Sequence, residues 1–309
     1  MVKIIDLHFQ GVEGLISAYL EETEEGLVLI EPGPTSTLPT LLEGIRAAGH
    51  QPEDIVHVFV THVHLDHAGA AWYFANELGI PVHVHPLGAP HLIDPGRLWR
   101  SAAQLYGDKM DSLWGEMRPI DPSLVFTHQH QEKIRVGTIW VKTFYTPGHA
   151  DHHVAWRVGR HMFAGDVAGI KFDNGIATVP TPPPEVNVKA WTESIRLLKD
   201  VRPETIYMTH GGLVENHRTH LIEVEGRLRN FETFVRTHLE NGAQPKSVVD
   251  KFVDFYERQL DATKMSEELK FKYMNMGGPK LSALGMIRYV SKDLGLPKPS
   301  SRAKIPVLL

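Results

Sequence analysis

The chain has 309 residues, of which 42% are hydrophobic and 22% charged, and its formal net charge is −5 at pH 7. These proportions are typical of a folded globular protein and exclude a mainly disordered chain, a coiled coil and a collagen. The absence of cysteine excludes disulfides, thiolate zinc sites, iron–sulfur clusters and a cysteine nucleophile.

The first ten residues alternate in type like a β-strand. They lack the basic start, the long apolar run and the cleavage site of a secretory signal. No apolar run in the sequence approaches the roughly 20 residues that cross a bilayer. We therefore expect a cytoplasmic protein with no membrane segment.

Strand-like and helix-like segments alternate in the first part of the chain. Strands are predicted at 2–9, 15–21, 27–30, 54–60 and 81–85, and helices at 37–49 and 70–78. Apolar and aromatic residues recur every three or four positions over 97–117, which predicts an amphipathic helix in a helical insertion at about 86–120. We interpret this helix as packed on the core, with a lid over a substrate pocket as the alternative.

After the insertion the strand signals resume, and they give way to helices in the last third of the chain. Strands are predicted at 124–126, 138–145, 153–158, 161–166 and 205–208, and a helix at 187–199. From residue 216 the spacing is helical almost throughout. We predict an α/β catalytic domain at 1–213 and a helical C-terminal domain at 214–309, with net charges of −9 and +4.

The segment THVHLDHAG, residues 61–69, contains four potential metal ligands directly after a predicted strand. In an extended segment the side chains of His62 and His64 point the same way and can converge on one cation. Asp66 and His67 lie just beyond, where the chain turns toward a helix. This density of ligand-type residues at a strand end indicates a metal site.

Three further ligand-type residues each follow a predicted strand, namely His149 in TPGHADHH, Asp166 in FAGDV and His210 in MTHGG. Loops at strand ends are where a rigid scaffold presents functional groups, so these residues could meet the first cluster in space. Together the two groups supply five histidines and two aspartates. That number suffices for two metal ions that share the Asp166 carboxylate.

The order H-x-H-x-D-H, TPGH, GD and a final histidine resembles the metallo-β-lactamase fold superfamily over residues 1–213. The resemblance implies an αββα sandwich of two mixed sheets with helices outside and a dinuclear site along one edge. It also implies the following ligands: His62, His64 and His149 for the first ion, Asp66, His67 and His210 for the second, and Asp166 for both.

Two neighbouring cations lower the pKa of a bridging water enough to hold hydroxide at neutral pH, and they also polarise a carbonyl oxygen. Hydrolysis is the expected reaction, with Asp66 as the catalytic residue that orients the hydroxide and takes up its proton. Ligands of nitrogen and oxygen without sulfur suit zinc, with iron or manganese as alternatives.

Several other polar residues receive structural interpretations. Relatives usually have an aspartate at the position of Glu31, a residue that supports the site without binding metal. His153 matches a second histidine after the TPGH loop and is expected to support the ligands. His83 could point either toward the pocket or into the core. The pair His128 and His130 has no further ligand at useful spacing and is interpreted as a surface pair.

Asp166 and the absence of a secretory signal argue against an exported β-lactamase. The seven-ligand set resembles glyoxalase II, which cleaves hydroxyacylglutathione thioesters, and the related quorum-quenching lactonases. Residues 264–309 hold nine Lys or Arg and three acidic residues, a basic end that could bind an anionic thiol carrier or could simply be a solvated surface. We predict a hydrolase of a small-molecule thioester or ester.

Three alternatives stay open. A lactonase would usually have a tyrosine at the position of Gly169, although Tyr145 or Tyr106 could replace it. A mononuclear iron persulfide dioxygenase resembles glyoxalase II closely. A nuclease would explain why residues 215–256 loosely resemble a winged helix, but the acidic front disfavours nucleic acid. The sequence leaves the exact substrate and homo-oligomer formation open.

Overall fold

The computed structural model describes residues 2–276 and 278–296. The chain forms two compact units. The first comprises Met1–Tyr145, His152–Gly165 and Arg202–Glu215, and the second comprises Thr146–Asp151, Asp166–Val201 and the chain from residue 216. The predicted domain boundary after residue 213 stays a prediction. Part of the predicted basic end, Lys298, Arg302 and Lys304, lies outside the described residues.

Both β-sheets of the described chain belong to the first unit. The strands of the first sheet are β1 (Lys3–Asp6), β2 (Ser17–Thr23), β3 (Gly26–Ile30), β4 (Ile55–Phe59), β5 (Val82–Val84) and β6 (Val125–Thr127). The strands of the second are β7 (Lys133–Val136), β8 (Ile139–Tyr145), β9 (Val154–Val158), β10 (His161–Phe163), β11 (Thr205–Met208) and β12 (Gly212–Val214).

Each sheet is mixed, as the resemblance implied. The first has the order β1-β2-β3-β4-β5-β6, with antiparallel pairs from β1 to β3 and parallel pairs from β3 to β6. The second has the order β12-β11-β10-β9-β8-β7, and its one parallel pair among the described strands is β10 with β11. The parallel region places the ends of β3 and β4 side by side.

Side chains from both sheets form one buried core. Phe59 of β4 packs edge-on against Trp156 of β9, with ring centroids 4.9 Å apart. The Trp156 indole N–H donates to the carbonyl of Val60, 2.9 Å away, which satisfies the buried indole. This bond ties the second sheet to the chain just before the THVHLDHAG segment.

The described part of the first unit contains six α-helices: α1 (Leu38–Ala47), α2 (Leu65–Ala68), α3 (Ala71–Leu78), α4 (Ala89–Ile93), α5 (Gly96–Tyr106) and α6 (Met110–Trp114). The prediction of a single helix over 97–117 is wrong, because the structure has two helices, α5 and α6, in this range. Gly107 has a φ of 55°, so the chain leaves the right-handed helical region between α5 and α6. Trp114 of α6 then stacks on Phe9 with ring centroids 5.4 Å apart.

The second unit contains five helices among its described residues: α7 (Val188–Val201), α8 (His217–Glu240), α9 (Pro245–Asp261), α10 (Glu267–Met276) and α11 (Pro279–Asp293). The predicted apolar face of α8 is confirmed, since Leu221, Val224 and Leu228 are fully buried. Gly242, with a φ of 78°, and Pro245 separate α8 from α9. None of the described helices has the length and apolar composition of a membrane span.

Candidate metal centre

The THVHLDHAG segment connects β4 to α2. His64 has extended backbone angles and directly precedes the first residue of α2. His62 and His64 therefore lie before the helix, whereas Asp66 and His67 lie on it. His62 Nε2 and His64 Nδ1 lie 2.9 Å apart. Two ring nitrogens at that separation can bind the same cation, as the spacing predicted.

Asp66, His67 and His210 form a second group within the first unit. Their ligand atoms lie within 4.8 Å of one another. Asp66 Oδ2 is 3.6 Å from His67 Nε2 and 3.4 Å from His210 Nε2. His210 follows β11, whereas the other two residues lie on α2, so the pairing of β10 with β11 contributes to the position of His210.

The outer nitrogen of each histidine in this group has a fixed acceptor. His210 Nδ1 donates to the carbonyl of Leu15 at 2.8 Å, and His67 Nδ1 donates to the carboxylate of Glu31. Because these oxygens only accept, Nδ1 of a neutral ring carries the proton and Nε2 carries the lone pair. Both lone pairs then face the carboxylate of Asp66, and such an arrangement is favourable when a cation lies among them. The donor set therefore fits a divalent metal ion.

The carboxylate of Asp66 is kept ionised. Burial alone raises its pKa, but when no metal ion is bound the protonated rings of His67 and His210 lower it further than burial raises it, through their charge and a hydrogen bond from His210. The net result is a pKa well below the usual range. An anionic Asp66 can bind a metal ion or accept a proton.

Glu31 occupies the centre of the contacts that hold this group. Its carboxylate, 1% exposed, accepts hydrogen bonds from the Thr61 N–H at 2.6 Å, the Thr209 hydroxyl at 2.8 Å and the ring of His67. Thr61 directly precedes His62, and Thr209 directly precedes His210. Glu31 thus joins the ends of β4 and β11 and orients His67, in line with the expected supporting role.

The second unit contains the two remaining predicted ligands. His149 Nε2 lies 3.3 Å from Asp166 Oδ2, and both side chains are buried. His149 Nδ1 donates to the carbonyl of Pro180 at 2.9 Å. A backbone carbonyl therefore orients this ring, as the carbonyl of Leu15 orients the ring of His210. Trp191 of α7 packs edge-on against this imidazole at 5.5 Å and donates its indole N–H to the carbonyl of Val167.

Neutral histidines surround the motif in the first unit. His153 is fully buried, its ring centroid lies 5.0 Å from that of His62, and burial lowers its pKa well below the usual value. Burial also lowers the pKa of His152 to about 3, and its ring lies 6.0 Å from that of His64. Sequence reasoning assigned no role to His152, because only its position beside His64 distinguishes it.

Tyr106 is a second residue whose position the sequence left open. Burial and the charge of Asp66 raise the pKa of its phenol, so the hydroxyl stays protonated and lies within the electrostatic reach of that carboxylate. Its ring packs edge-on against Trp114 at 5.0 Å. The helical insertion therefore contributes an O–H group within electrostatic reach of Asp66, one of the predicted ligands.

A chain of hydrogen-bonded histidines lies in the first unit apart from these ligands. Glu132 contacts His128 Nδ1 at 2.9 Å, His128 Nε2 contacts His83 Nδ1 at 2.8 Å, and His83 Nε2 contacts His57 Nδ1 at 2.8 Å. His83 is 3% exposed and His128 8% exposed. The surface interpretation is wrong for His128 and confirmed for His130, which is exposed.

These linked histidines predict a loss of stability in acid. Burial, and then the charges of His57 and His128, lower the pKa of His83 in the folded protein well below its unfolded value near 6.5. Below pH 6.5 the unfolded chain therefore binds a proton that the folded chain does not, and the free energy of unfolding falls. In urea unfolding experiments at a series of pH values, we expect the free energy of unfolding of His83→Gln to depend less steeply on pH than that of the wild type. The difference in slope should be up to about 1.4 kcal/mol per pH unit.

His130→Gln, at an exposed position, is the control for that titration and should lose stability with falling pH as the wild type does. Equal pH dependence of the His83→Gln variant and the wild type would show that His83 does not titrate with unfolding.

Comparisons with known proteins identify the class to which this chain belongs. Residues 11–210 match the metallo-beta-lactamase superfamily, and the chain belongs to it. It is 30% identical over 161 residues to the metallo-beta-lactamase fold-containing protein ST1585 of Sulfurisphaera tokodaii, covering 51% of this chain and 61% of that protein. It is 32% identical over 81 residues to the N-acyl homoserine lactonase of Bacillus cereus, covering 19% of this chain and 32% of the lactonase. The chain thus spans less than two thirds of these relatives.

Solved structures share the fold over a larger part of the chain. The structure of ST1585 superposes with a TM-score of 0.59 at 25% identity and covers 74% of this chain and 85% of that one. A metallo-beta-lactamase family protein from Thermus thermophilus superposes with a TM-score of 0.67 at 16% identity and covers 95% and 94%. The chain has the metallo-β-lactamase fold and carries groups of His and Asp side chains that could hold a metal ion.

Proposed function

We propose that the protein is a metal-dependent hydrolase of a small-molecule thioester or ester, similar to glyoxalase II. The observation that carries the proposal is the orientation of His210 and His149. In each, an acceptor carbonyl fixes Nδ1 and leaves Nε2 facing a carboxylate at 3.4 Å or 3.3 Å. Such an arrangement is typical of histidines that bind metal.

Two divalent ions, zinc as the first choice, would be bound by the residues that the sequence predicted: His62, His64, Asp66, His67, His149, Asp166 and His210. When bound, such ions activate water as a nucleophile and polarise a carbonyl oxygen. Asp66 is anionic and would orient that water and accept its proton. Neutral His152 and the phenol of Tyr106 offer hydrogen-bond donors for the substrate.

A thioester is the first choice of substrate because a thiolate leaves without prior protonation. In the described part of the basic end, Lys270 binds Asp261 and Glu257, and Lys272 binds Asp173. These two lysines are therefore engaged within the second unit. An anionic thiol carrier would have to bind the other basic residues of that end.

The test is the hydrolysis of a hydroxyacylglutathione thioester by zinc-loaded protein, with Asp166→Ala as the inactive variant. We expect Asp166→Ala to lose at least one metal ion and to lower kcat/KM at least about a hundredfold, since a shared ligand is removed. Asp200→Ala, at an exposed position of α7, is the control and should keep both properties. Two tightly bound ions and full turnover in Asp166→Ala would refute the proposal.

A lactone is the second candidate substrate. Two observations favour it: the similarity to N-acyl homoserine lactonases over 81 residues, and the phenol of Tyr106, which lies within electrostatic reach of Asp66. The same zinc-loaded protein should then hydrolyse an N-acyl homoserine lactone with a higher kcat/KM than the thioester. Iron-dependent oxygen uptake with a persulfide, or metal-dependent cleavage of nucleic acid, would instead favour one of the other two classes.

A further inference from the structure

Side chains of the C-terminal helices form hydrogen bonds with backbone groups of the segment that follows Asp166. The side chain of His220, on α8, donates to the carbonyl of Ala168 at 2.7 Å. The Tyr273 phenol, on α10, accepts from the N–H of Phe172 at 3.1 Å and donates to the carbonyl of Ile176 at 2.7 Å. His220 is 2% exposed and Tyr273 is fully buried. These bonds restrict the segment at three places along its length.

Helix α11 contacts the same segment next to Pro180, at Thr181. The N–H of Thr181 donates to Ser282 Oγ at 3.2 Å, and the Thr181 hydroxyl donates to the carbonyl of Ser282 at 2.9 Å. Both residues are buried. Two buried hydrogen bonds between one residue of a loop and one residue of a helix fix the loop backbone in place.

Gly285 allows α11 to come this close. A Cβ atom at this position would collide with the carbonyl oxygen of Thr181 and would lie 2.8 Å from the carbonyl carbon of Pro182. Both contacts are with backbone, which cannot move aside as a flexible side chain can. A residue without a Cβ atom is therefore required where the helix meets the loop.

The loop position held by α11 is next to the acceptor of His149. Pro180 immediately precedes Thr181, and its carbonyl accepts the Nδ1–H of His149 at 2.9 Å. That bond sets both the tautomer and the direction of the ring, and hence where Nε2 lies relative to Asp166. A shift of the loop would move the acceptor and reorient the imidazole.

We propose that α11 is a positioning element for the metal ligand His149, and that Ser282 and Gly285 are its positioning residues. Ser282 binds Thr181, the peptide between Pro180 and Thr181 presents its carbonyl, and this carbonyl orients the imidazole of His149. The C-terminal helices thereby acquire a role in metal binding, whichever substrate is hydrolysed. The proposal rests on the proposed function only in taking His149 as a ligand.

Metal affinity measured on the full-length protein tests this role. Ser282→Ala removes the acceptor of the Thr181 N–H, and Gly285→Ala pushes the Thr181 carbonyl away. In competition with a chelator we expect each variant to bind zinc at least about tenfold more weakly than the wild type, as loss of an outer partner does at other metal sites. Cobalt(II) bound to each variant should show an altered visible absorption spectrum, because the direction of a ligand ring has changed.

Ser291→Ala is the matched control, because Ser291 is a buried serine on the same helix, 2% exposed. It should leave zinc affinity and the cobalt spectrum unchanged even if it lowers the melting temperature as much as Ser282→Ala does. Wild-type zinc affinity and an unchanged cobalt spectrum in both Ser282→Ala and Gly285→Ala would overturn the proposal. So would an equal loss of affinity in Ser291→Ala.

Failure of the proposed function gives a different result. A wild-type protein that binds its metal ions and hydrolyses no thioester, ester or lactone refutes the reaction. The zinc affinities and cobalt spectra of the Ser282 and Gly285 variants still decide whether α11 positions His149.

Discussion

Asp66→Asn is expected to lower kcat/KM of the zinc-loaded protein about a thousandfold, within the range for loss of a positioned acid or base. Asp66 Oδ2 lies 3.4 Å from His210 Nε2 and 3.6 Å from His67 Nε2. Asparagine is nearly the same size but carries no charge and cannot take up a proton. Steady-state rates, zinc content and thermal unfolding of the same preparation measure the effect.

Because the folded protein favours the ionised form of Asp66, we expect Asp66→Asn to lower the melting temperature, and the rates are compared at a temperature where both proteins stay folded. Asp108→Asn changes an exposed carboxylate in the helical insertion and should keep full activity. Wild-type kcat/KM in Asp66→Asn with its zinc retained would show that Asp66 has no part in the reaction.

The sequence predicted that the ligand-type residues of the first unit lie close together, because they are local. His62, His64, Asp66 and His67 lie within six positions, and the end of β4 followed by α2 places them together as the spacing required. The mixed sheets were also expected, because the resemblance to the metallo-β-lactamase fold superfamily implies them, and the parallel pairs of β3 with β4 and β4 with β5 agree with it.

Neither the shortest strands nor the polar contacts between residues far apart in the chain could be predicted from the sequence. Strands β7 and β12 have four and three residues, too few for a period to be recognised. The bond between His83 and His128 requires the parallel register of β5 with β6, which no local pattern encodes. The sequence alone therefore predicts a surface position for His128.

The contacts of the C-terminal helices were even harder to predict from local sequence patterns. Thr181 and Ser282 are 101 residues apart in the chain, and neither has a neighbourhood that marks it as functional. Charge led to a hypothesis about substrate binding by the C-terminal end. The described geometry adds a role through backbone contacts, which composition and spacing cannot reveal.

Glu31→Ala is expected to lower the free energy of unfolding by about 3 kcal/mol, because it leaves several buried donors without their charged acceptor. The wild-type carboxylate accepts from the Thr61 N–H, the Thr61 and Thr209 hydroxyls and the His67 ring. His67 would also lose the partner that fixes its tautomer, so zinc should bind at least about tenfold more weakly. Urea unfolding and zinc competition measure the two effects.

Glu31→Gln separates charge from shape. Its amide has nearly the shape of the carboxylate, but its nitrogen is a donor and would face groups that are themselves donors, so we expect a large part of the stability loss to remain. Glu24→Ala, at an exposed position of the turn between β2 and β3, should change neither quantity. A loss below about 1 kcal/mol in Glu31→Ala would contradict a carboxylate that joins the ends of β4 and β11, because one ordinary hydrogen bond is worth that much.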